Sequence, residues 1–286
     1  MPRARRPLFL GLVSLFFLTS LSAAAEEDDP DEQTFPVDLS LVAEVGFNAP
    51  LHHTIQFSED GSRIDYVEEG GQGVLFPFQR LSAEAALSDR HRLVFLWQPL
   101  QLQTQVRLQR DLTIDGATFS EGQPVDMLYN FPFFRASYLY DLSDRPDREI
   151  AIGPSVQLRN ATIAFQTIDG ELRRERRDVG VVPILKFRAQ QTTESGWFMG
   201  LEADGFYAPI RYLNISDSDV LGAIWDVSLR AGAQVHPDVN AFLNLRYLGG
   251  GADGTSSDEG QGQPGDGYNR NWLNLLTLSL GFEASL

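Results

Sequence analysis

The stretch DVLGAIWDVSLRAGAQV, residues 219–235, decides the fold. From Leu221 every second residue is apolar: Leu221, Ala223, Trp225, Val227, Leu229, Ala231, Ala233 and Val235. The register between them reads Gly222, Ile224, Asp226, Ser228, Arg230, Gly232 and Gln234. A period of two is the mark of a β-strand, whose successive side chains point to opposite faces. Strands of soluble proteins usually run about 5–6 residues, whereas a tilted strand crossing a bilayer needs about 9–11. The segment is therefore either one exposed amphipathic strand or one stave of a membrane barrel.

Working outward, the same alternation returns along the chain, at 37–47, 78–87, 92–108, 128–141, 150–159, 181–190, 197–207, 241–248 and 272–286. In the first, Val37, Leu39, Leu41, Ala43, Val45 and Phe47 share a face. In the third, Leu93, Phe95 and Trp97 share one. The phase slips at Pro99, which reads as a bulge, and Leu100, Leu102, Thr104, Val106 and Leu108 are expected to continue the apolar face. The connections alternate in length. Long links fall at 48–75, 109–127, 160–180, 208–219 and 249–271, short ones at 88–91, 142–149, 192–196 and 236–239. Short turns at one end and long loops at the other are the pattern of an outer-membrane barrel, and a soluble sandwich has no reason to sort its loops this way. The expected fold is all-β: a closed, antiparallel, up-and-down transmembrane barrel of about ten strands, with both termini at the short-turn end.

The rest of the composition agrees. MPRARR, an apolar run PLFLGLVSLFFLTSL and the small residues SAAA form an export signal with a cut expected after Ala25. Residues 26–36 open with EEDDPDEQ and read as a disordered acidic lead-in; the barrel domain is expected over 37–286. No other run is long and apolar enough for a membrane helix, and cysteine is absent. The net charge of −16 excludes nucleic acid as a partner, since phosphate backbones require clustered Lys and Arg.

On the polar registers lie the basic residues Arg80, Arg107, Arg135, Arg159, Lys186, Arg188, Arg230 and Arg246 and the acidic residues Asp38, Glu44, Glu84, Glu202, Asp204 and Asp226. In a closed barrel they converge on one lumen, where charges must pair or cost several kcal/mol each. Two readings follow: a cross-braced interior that holds the fold, or a narrow path lined by Lys186, Arg188, Glu202 and Asp204. The aromatics Trp97, Tyr138, Tyr140, Trp197, Tyr207 and Trp272 fall near strand ends, as in the interfacial girdles of membrane barrels.

With these features the chain resembles the small single-domain outer-membrane β-barrel proteins of Gram-negative bacteria. The resemblance covers nearly all of the mature sequence and is one of architecture. It implies outer-membrane lipid and lipopolysaccharide as surroundings, the barrel assembly machinery as a partner during biogenesis, and no cofactor. In that family the last strand usually ends in an aromatic; here the alternation is kept, with Phe282 four residues before the final Leu286.

Chemistry is sparse. Among ten-stranded barrels the omptin-like surface proteases use acidic residues and an Asp–His couple at the outer rim. His52 and His53, expected in the first long loop near Glu59, Asp60 and Asp65, are the one place for such a site, and their motif residues do not match one by one. His91 and His236 fall in short turns. No G-x-S-x-G elbow is present, and four scattered histidines without cysteine do not make a His/Cys metal site. In the third long loop, ELRRERRD places Arg173, Arg174, Arg176 and Arg177 either against lipopolysaccharide phosphates or in pairs with Glu171, Glu175 and Asp178. In the glycine-rich 249–270, Asp253, Asp258, Glu259 and Asp266 read as a flexible loop or a weak Ca²⁺ site. The expected function is that of a non-enzymatic integral outer-membrane protein, structural or surface-interacting through its loops. A narrow pore for small solutes, a surface hydrolase and a soluble exported β protein are the alternatives.

Overall fold

The computed structural model describes residues 37–209, 221–255 and 266–286. The signal and the acidic lead-in fall outside them, as do Asp258 and Glu259.

Ten antiparallel strands form a closed ring. In ring order they are β1 (Asp38–Phe57), β3 (Phe76–Ala86), β4 (His91–Gln98), β9 (Phe133–Asp141), β10 (Arg148–Thr167), β11 (Arg173–Thr192), β12 (Trp197–Pro209), β13 (Leu221–His236), β14 (Val239–Thr255) and β15 (Tyr268–Ser285). The last strand returns to the first, from Ser40 opposite Ser285 to Phe57 opposite Asn269. Closure leaves no edge in the wall, the one way a sheet crosses lipid with its backbone satisfied.

Each of the ten stretches read from the sequence is strand, although 92–108 and 128–141 are each divided in two, and within the ten-stranded ring the apolar registers face outward. Val45, Phe47, Phe95, Phe134, Leu185, Leu229, Leu243, Leu245 and Leu278 are exposed on the outer wall. The opening segment spans β13, with Trp225, Val227 and Leu229 outward and Asp226 and Ser228 buried in the lumen. The short links lie at 87–90, 142–147, 193–196 and 237–238, all at one end. The third link differs from expectation. Both β10 and β11 run 20 residues, and only 168–172 is left to connect them. ELRRERRD is therefore mostly strand, its charges alternating in and out.

A second correction concerns Pro99. Beyond it the chain resumes as β5 (Gln101–Arg107) and returns as β8 (Pro124–Asn130), joined through a small hairpin of β6 (Leu112–Ile114) and β7 (Ala117–Phe119). The first link carries β2 (Ile64–Asp65) against β1. The slip inverts the register. Leu100, Leu102 and Leu108 are buried inside, and Gln101, Gln103, Gln105 and Arg107 face out and are exposed. β10 exchanges partners at the same level, from β9 (Arg159 opposite Phe133) to β8 (Thr162 opposite Asn130). Above the bilayer an outward apolar face would meet water, so the wall turns polar side out.

The result is a lower barrel that is apolar outside and charged inside, and an upper head that is polar outside and apolar inside. The head is filled by Ile55, Phe57, Tyr66, Leu102, Leu112, Ile114, Phe119, Met127, Phe133 and Phe165, with neighbours from the same cluster. Near the short-turn end a smaller cluster joins Val42, Phe198 and Phe242. Gly281 lets the Phe242 ring lie against the backbone of β15: a Cβ there would stand 2.2 Å from the ring and push it aside.

Candidate functional site

The lower lumen is crossed by a continuous charge network. Arg246 on β14 grips Asp226 on β13, with Nε 2.5 Å from Oδ1, and donates Nη1 to Gln98 at 2.7 Å. Arg135 on β9 reaches across the barrel to Asp204 at 2.7 Å and Asp226 at 3.1 Å, and bonds Gln157. Lys186 on β11 donates to Glu202 at 2.8 Å and Asp204 at 3.2 Å. Toward the short-turn end Arg188 meets Glu84 at 2.8 Å and Glu202 at 3.3 Å, and Arg230 meets Glu202 at 3.1 Å. Asn244 and Ser279 both donate to Oε2 of Glu44. Every one of these side chains points inward because it occupies the polar register of its strand.

The network holds most of the residues expected there. Arg80, Glu44, Glu84, Arg135, Lys186, Arg188, Glu202, Asp204, Asp226, Arg230 and Arg246 all line it. Three placements need correction. Asp38 is exposed at the entrance of β1. Arg107 lies past the Pro99 inversion, on the outer surface of the head, donating to the Gly122 carbonyl at 2.6 Å. Arg159 stands apart, above the network, paired with Asp178 at 2.6 Å. Two members were missed. Arg92 bonds Glu84 at 3.3 Å, and Glu149 receives Arg92 and Arg188 at 3.5 Å each. Arg92 lies on the register opposite Leu93, so the alternation contained it. Glu149 sits one residue before the expected start of its strand.

At the short-turn end the network opens into a cavity of about 170 Å³ lined by Arg80, Arg92, Arg188, Arg230, Glu84, Glu149 and Glu202, among others. At the opposite end a cleft of about 490 Å³ is lined by Ser58, Glu59, Asp60, Asp115, Gly116 and Asp266. Asp266 accepts the Glu59 backbone N–H at 2.8 Å and that of Tyr268 at 2.9 Å. Asp253 accepts from Arg270 at 2.8 Å and Tyr268 Oη at 3.1 Å.

The histidines of the hydrolase reading are on β1, not in a loop. His52 faces out and is exposed, while His53 is buried within the head. Its ring stacks on Tyr66 at 4.5 Å and meets the edge of Tyr129 at 4.4 Å, and Nδ1 donates to Gln72 Oε1 at 2.7 Å. Asp65 accepts the backbone N–H groups of Val67 and Glu68, closing a turn. The pair of neighbours in sequence thus points to opposite sides of the wall.

The arginines of ELRRERRD divide in the same way. Arg174 and Arg176 turn inward. Arg176 pairs with Asp115 through Nε at 2.9 Å and lies 4.5 Å over the Phe57 ring, and Arg174 reaches the Asp115 carbonyl. Arg173 and Arg177 face out and are exposed, both pairing with Glu175. Directly below them on the same face are Val179 and Val181, among the most exposed apolar residues of the wall.

That outward belt is rimmed by aromatics. Trp197, Tyr138 and Tyr140 stand near the short turns, and Tyr207, Trp225 and Trp272 near the head, with the two tryptophans stacked at 6.2 Å. A closed ring with an apolar outer belt between aromatic girdles is the surface that lipid requires. The chain is an outer-membrane β-barrel. Its short turns, with the start of β1 and the end of β15, then face the periplasm, and the head faces outside.

No family model and no curated protein matches the sequence. Solved structures give a likeness of fold. The outer membrane protease OmpT from Escherichia coli aligns with a TM-score of 0.41 at 10% identity, over 87% of this chain and 97% of that one. Ail of Yersinia pestis, solved with the heparin analogue sucrose octasulfate, aligns at 0.37 and 8% identity, over 86% and 98%. Neisserial surface protein A aligns at 0.34 and 10% identity, over 86% and 96%. At these values no site residue passes from them to this outer-membrane barrel.

Outside the spanning segments, Asp147 in the periplasmic turn 142–147 is held down to about 2 by hydrogen bonds, first from Arg145 and then from Gln191.

Proposed function

We propose that this outer-membrane barrel is sealed and acts through the extracellular head it displays. One observation carries the reading. The outer mouth is filled by an apolar core in which Ile55, Tyr66, Leu102, Phe119 and Met127 have no exposure. Water and ions have no polar route through such packing. The ion pairs among Lys186, Arg188, Glu202 and Asp204 brace the wall in place of lining a path. His53 serves the same core, stacked between Tyr66 and Tyr129.

The head's polar outer face, with Gln101, Gln103, Gln105 and Arg107, is the surface offered to partners. Arg173 and Arg177, just above Val179 and Val181, suit the phosphates of lipopolysaccharide, which an arginine fork binds in pairs of hydrogen bonds. During biogenesis the partner is the barrel assembly machinery, with the alternating β15 as the segment presented.

Single-channel recording in planar bilayers tests the proposal. The refolded protein is expected to insert and give no unitary steps. Discrete steps from the unmodified chain would favour the narrow pore instead.

A further inference from the structure

Arg80 sits in the wall of the periplasmic cavity and differs from every other cation of the lower lumen. Its side chain is 6% exposed, and the nearest carboxylate oxygen, Oε1 of Glu44, is 3.8 Å from its Nε. Among the described residues its Nε has no hydrogen-bond partner; the same is true of Nε in Arg92, Arg188 and Arg230, but each of those guanidiniums has a carboxylate oxygen at 3.3 Å or less. Arg246 and Arg135, at similar burial, are forked onto carboxylates and amides.

A buried guanidinium has five N–H donors in one plane and costs several kcal/mol when they are left unmet. Its natural complement is a planar or tetrahedral oxyanion that accepts two of them at once. Around the same cavity stand Arg92, Arg188 and Arg230. The cavity's carboxylates are already engaged: Glu84 by Arg92 and Arg188, Glu149 by the same two, Glu202 by Lys186, Arg188 and Arg230. Glu283 also lines the cavity and accepts from Asn240.

Geometry, and not net charge, sets Arg80 apart. Four arginines, Arg80, Arg92, Arg188 and Arg230, and four carboxylates, Glu84, Glu149, Glu202 and Glu283, line the cavity, so its formal charges cancel. Arg80, whose nearest carboxylate oxygen stands 3.8 Å away where Arg92, Arg188 and Arg230 each have one at 3.3 Å or less, lies in the cavity wall. At ~30 Å³ per water, 170 Å³ accommodates a group of a few heavy atoms.

We infer that the periplasmic end of the lumen is a binding site for a small oxyanion, of the phosphate or sulfate class, with Arg80 at its base and Arg230, Arg188 and Arg92 around it. Phosphate could come from a free periplasmic anion or from a lipid headgroup. The ring encloses the site and separates it from the bilayer, which assigns it to the free anion.

The experiment is calorimetric titration of the refolded barrel, in phosphate-free maltoside micelles at constant ionic strength, with inorganic phosphate and with sulfate. Saturable binding at one site per chain is expected. Arg80→Gln should weaken it at least tenfold. Ser82→Asp, which sets a negative charge on the cavity wall and leaves Arg80 in place, should do the same. Arg107→Gln, on the outside of the head, should leave it unchanged. A heat-modifiable gel band reports that each variant is folded, and Ser82→Asp decides the matter if Arg80→Gln does not fold. Heats that never saturate, equal affinity in a folded variant, or binding seen only after phosphatidylglycerol is added would each overturn the inference.

Discussion

Arg246 and Asp226 lock neighbouring strands β14 and β13 from inside the barrel, Nε to Oδ1 at 2.5 Å, with both side chains almost fully buried. Asp226 also receives Arg135 from the far wall at 3.1 Å, so this carboxylate ties three strands. Removing one partner of a buried pair strands the other charge, at a cost of about 3–5 kcal/mol. Asp226→Ala is expected to lose that much in urea unfolding measured in vesicles. Asp38→Ala, exposed at the start of β1, should lose less than about 0.5 kcal/mol.

The outer wall changes solvent at Pro99, and substitutions should read that boundary. Leu245 is outward within the lipid belt and 48% exposed in the isolated chain. Leu245→Arg should destabilise the folded barrel by about 2–4 kcal/mol if it lies near the midplane. Gln103→Arg, on the polar head, should be close to neutral. The two unfolding curves, recorded in the same lipid, check the contrast.

The head depends on its aromatic packing. Phe119 and Phe165, ring centroids 6.4 Å apart, join the hairpin of β6 and β7 to the top of β10. Phe119→Ala should cost about 3–5 kcal/mol, and the loss should be local. Limited proteolysis is expected to cleave within 108–123 in this variant, while the lower barrel stays intact on the gel.

In the periplasmic turn, Arg145 and Gln191 hold Asp147 at about 2, below its usual 3.8. A depressed carboxyl adds stability above its unfolded value, and that contribution is lost as the pH falls through the folded value. Its NMR titration midpoint should stand near 2 in the native chain and move up toward 3.8 in Arg145→Ala.

The period-two alternation made the barrel legible, because lipid outside and charge inside enforce one residue type per register over long strands. Leu221 to Val235 is the clearest case. The same rule located Asp226, Arg230, Arg135 and Lys186. It failed at Arg107 and at Leu100 through Leu108, where both registers still alternate but the solvents have changed places. A pattern states that two faces differ; it does not state which one meets water. The head was hidden for that reason, and because its core is assembled from links, with Tyr66, Leu112 and Phe119 contributed singly. His52 and His53 show the limit in miniature. Adjacent in sequence, they read as one candidate, and the strand sends one out and the other in. The periplasmic site was legible only in part, since the 3.8 Å between Arg80 and its nearest carboxylate oxygen is not written in the sequence.

The inversion at Pro99 is the central structural claim, and thiol accessibility tests it most directly, helped by a chain without cysteine. Leu102→Cys and Gln103→Cys are adjacent substitutions on β5, and the barrel is labelled on intact cells with a membrane-impermeant maleimide. The account predicts rapid labelling at position 103 and protection at 102 until the protein is unfolded. Labelling at 102 with protection at 103 would contradict it, and would return Leu102 to the lipid face.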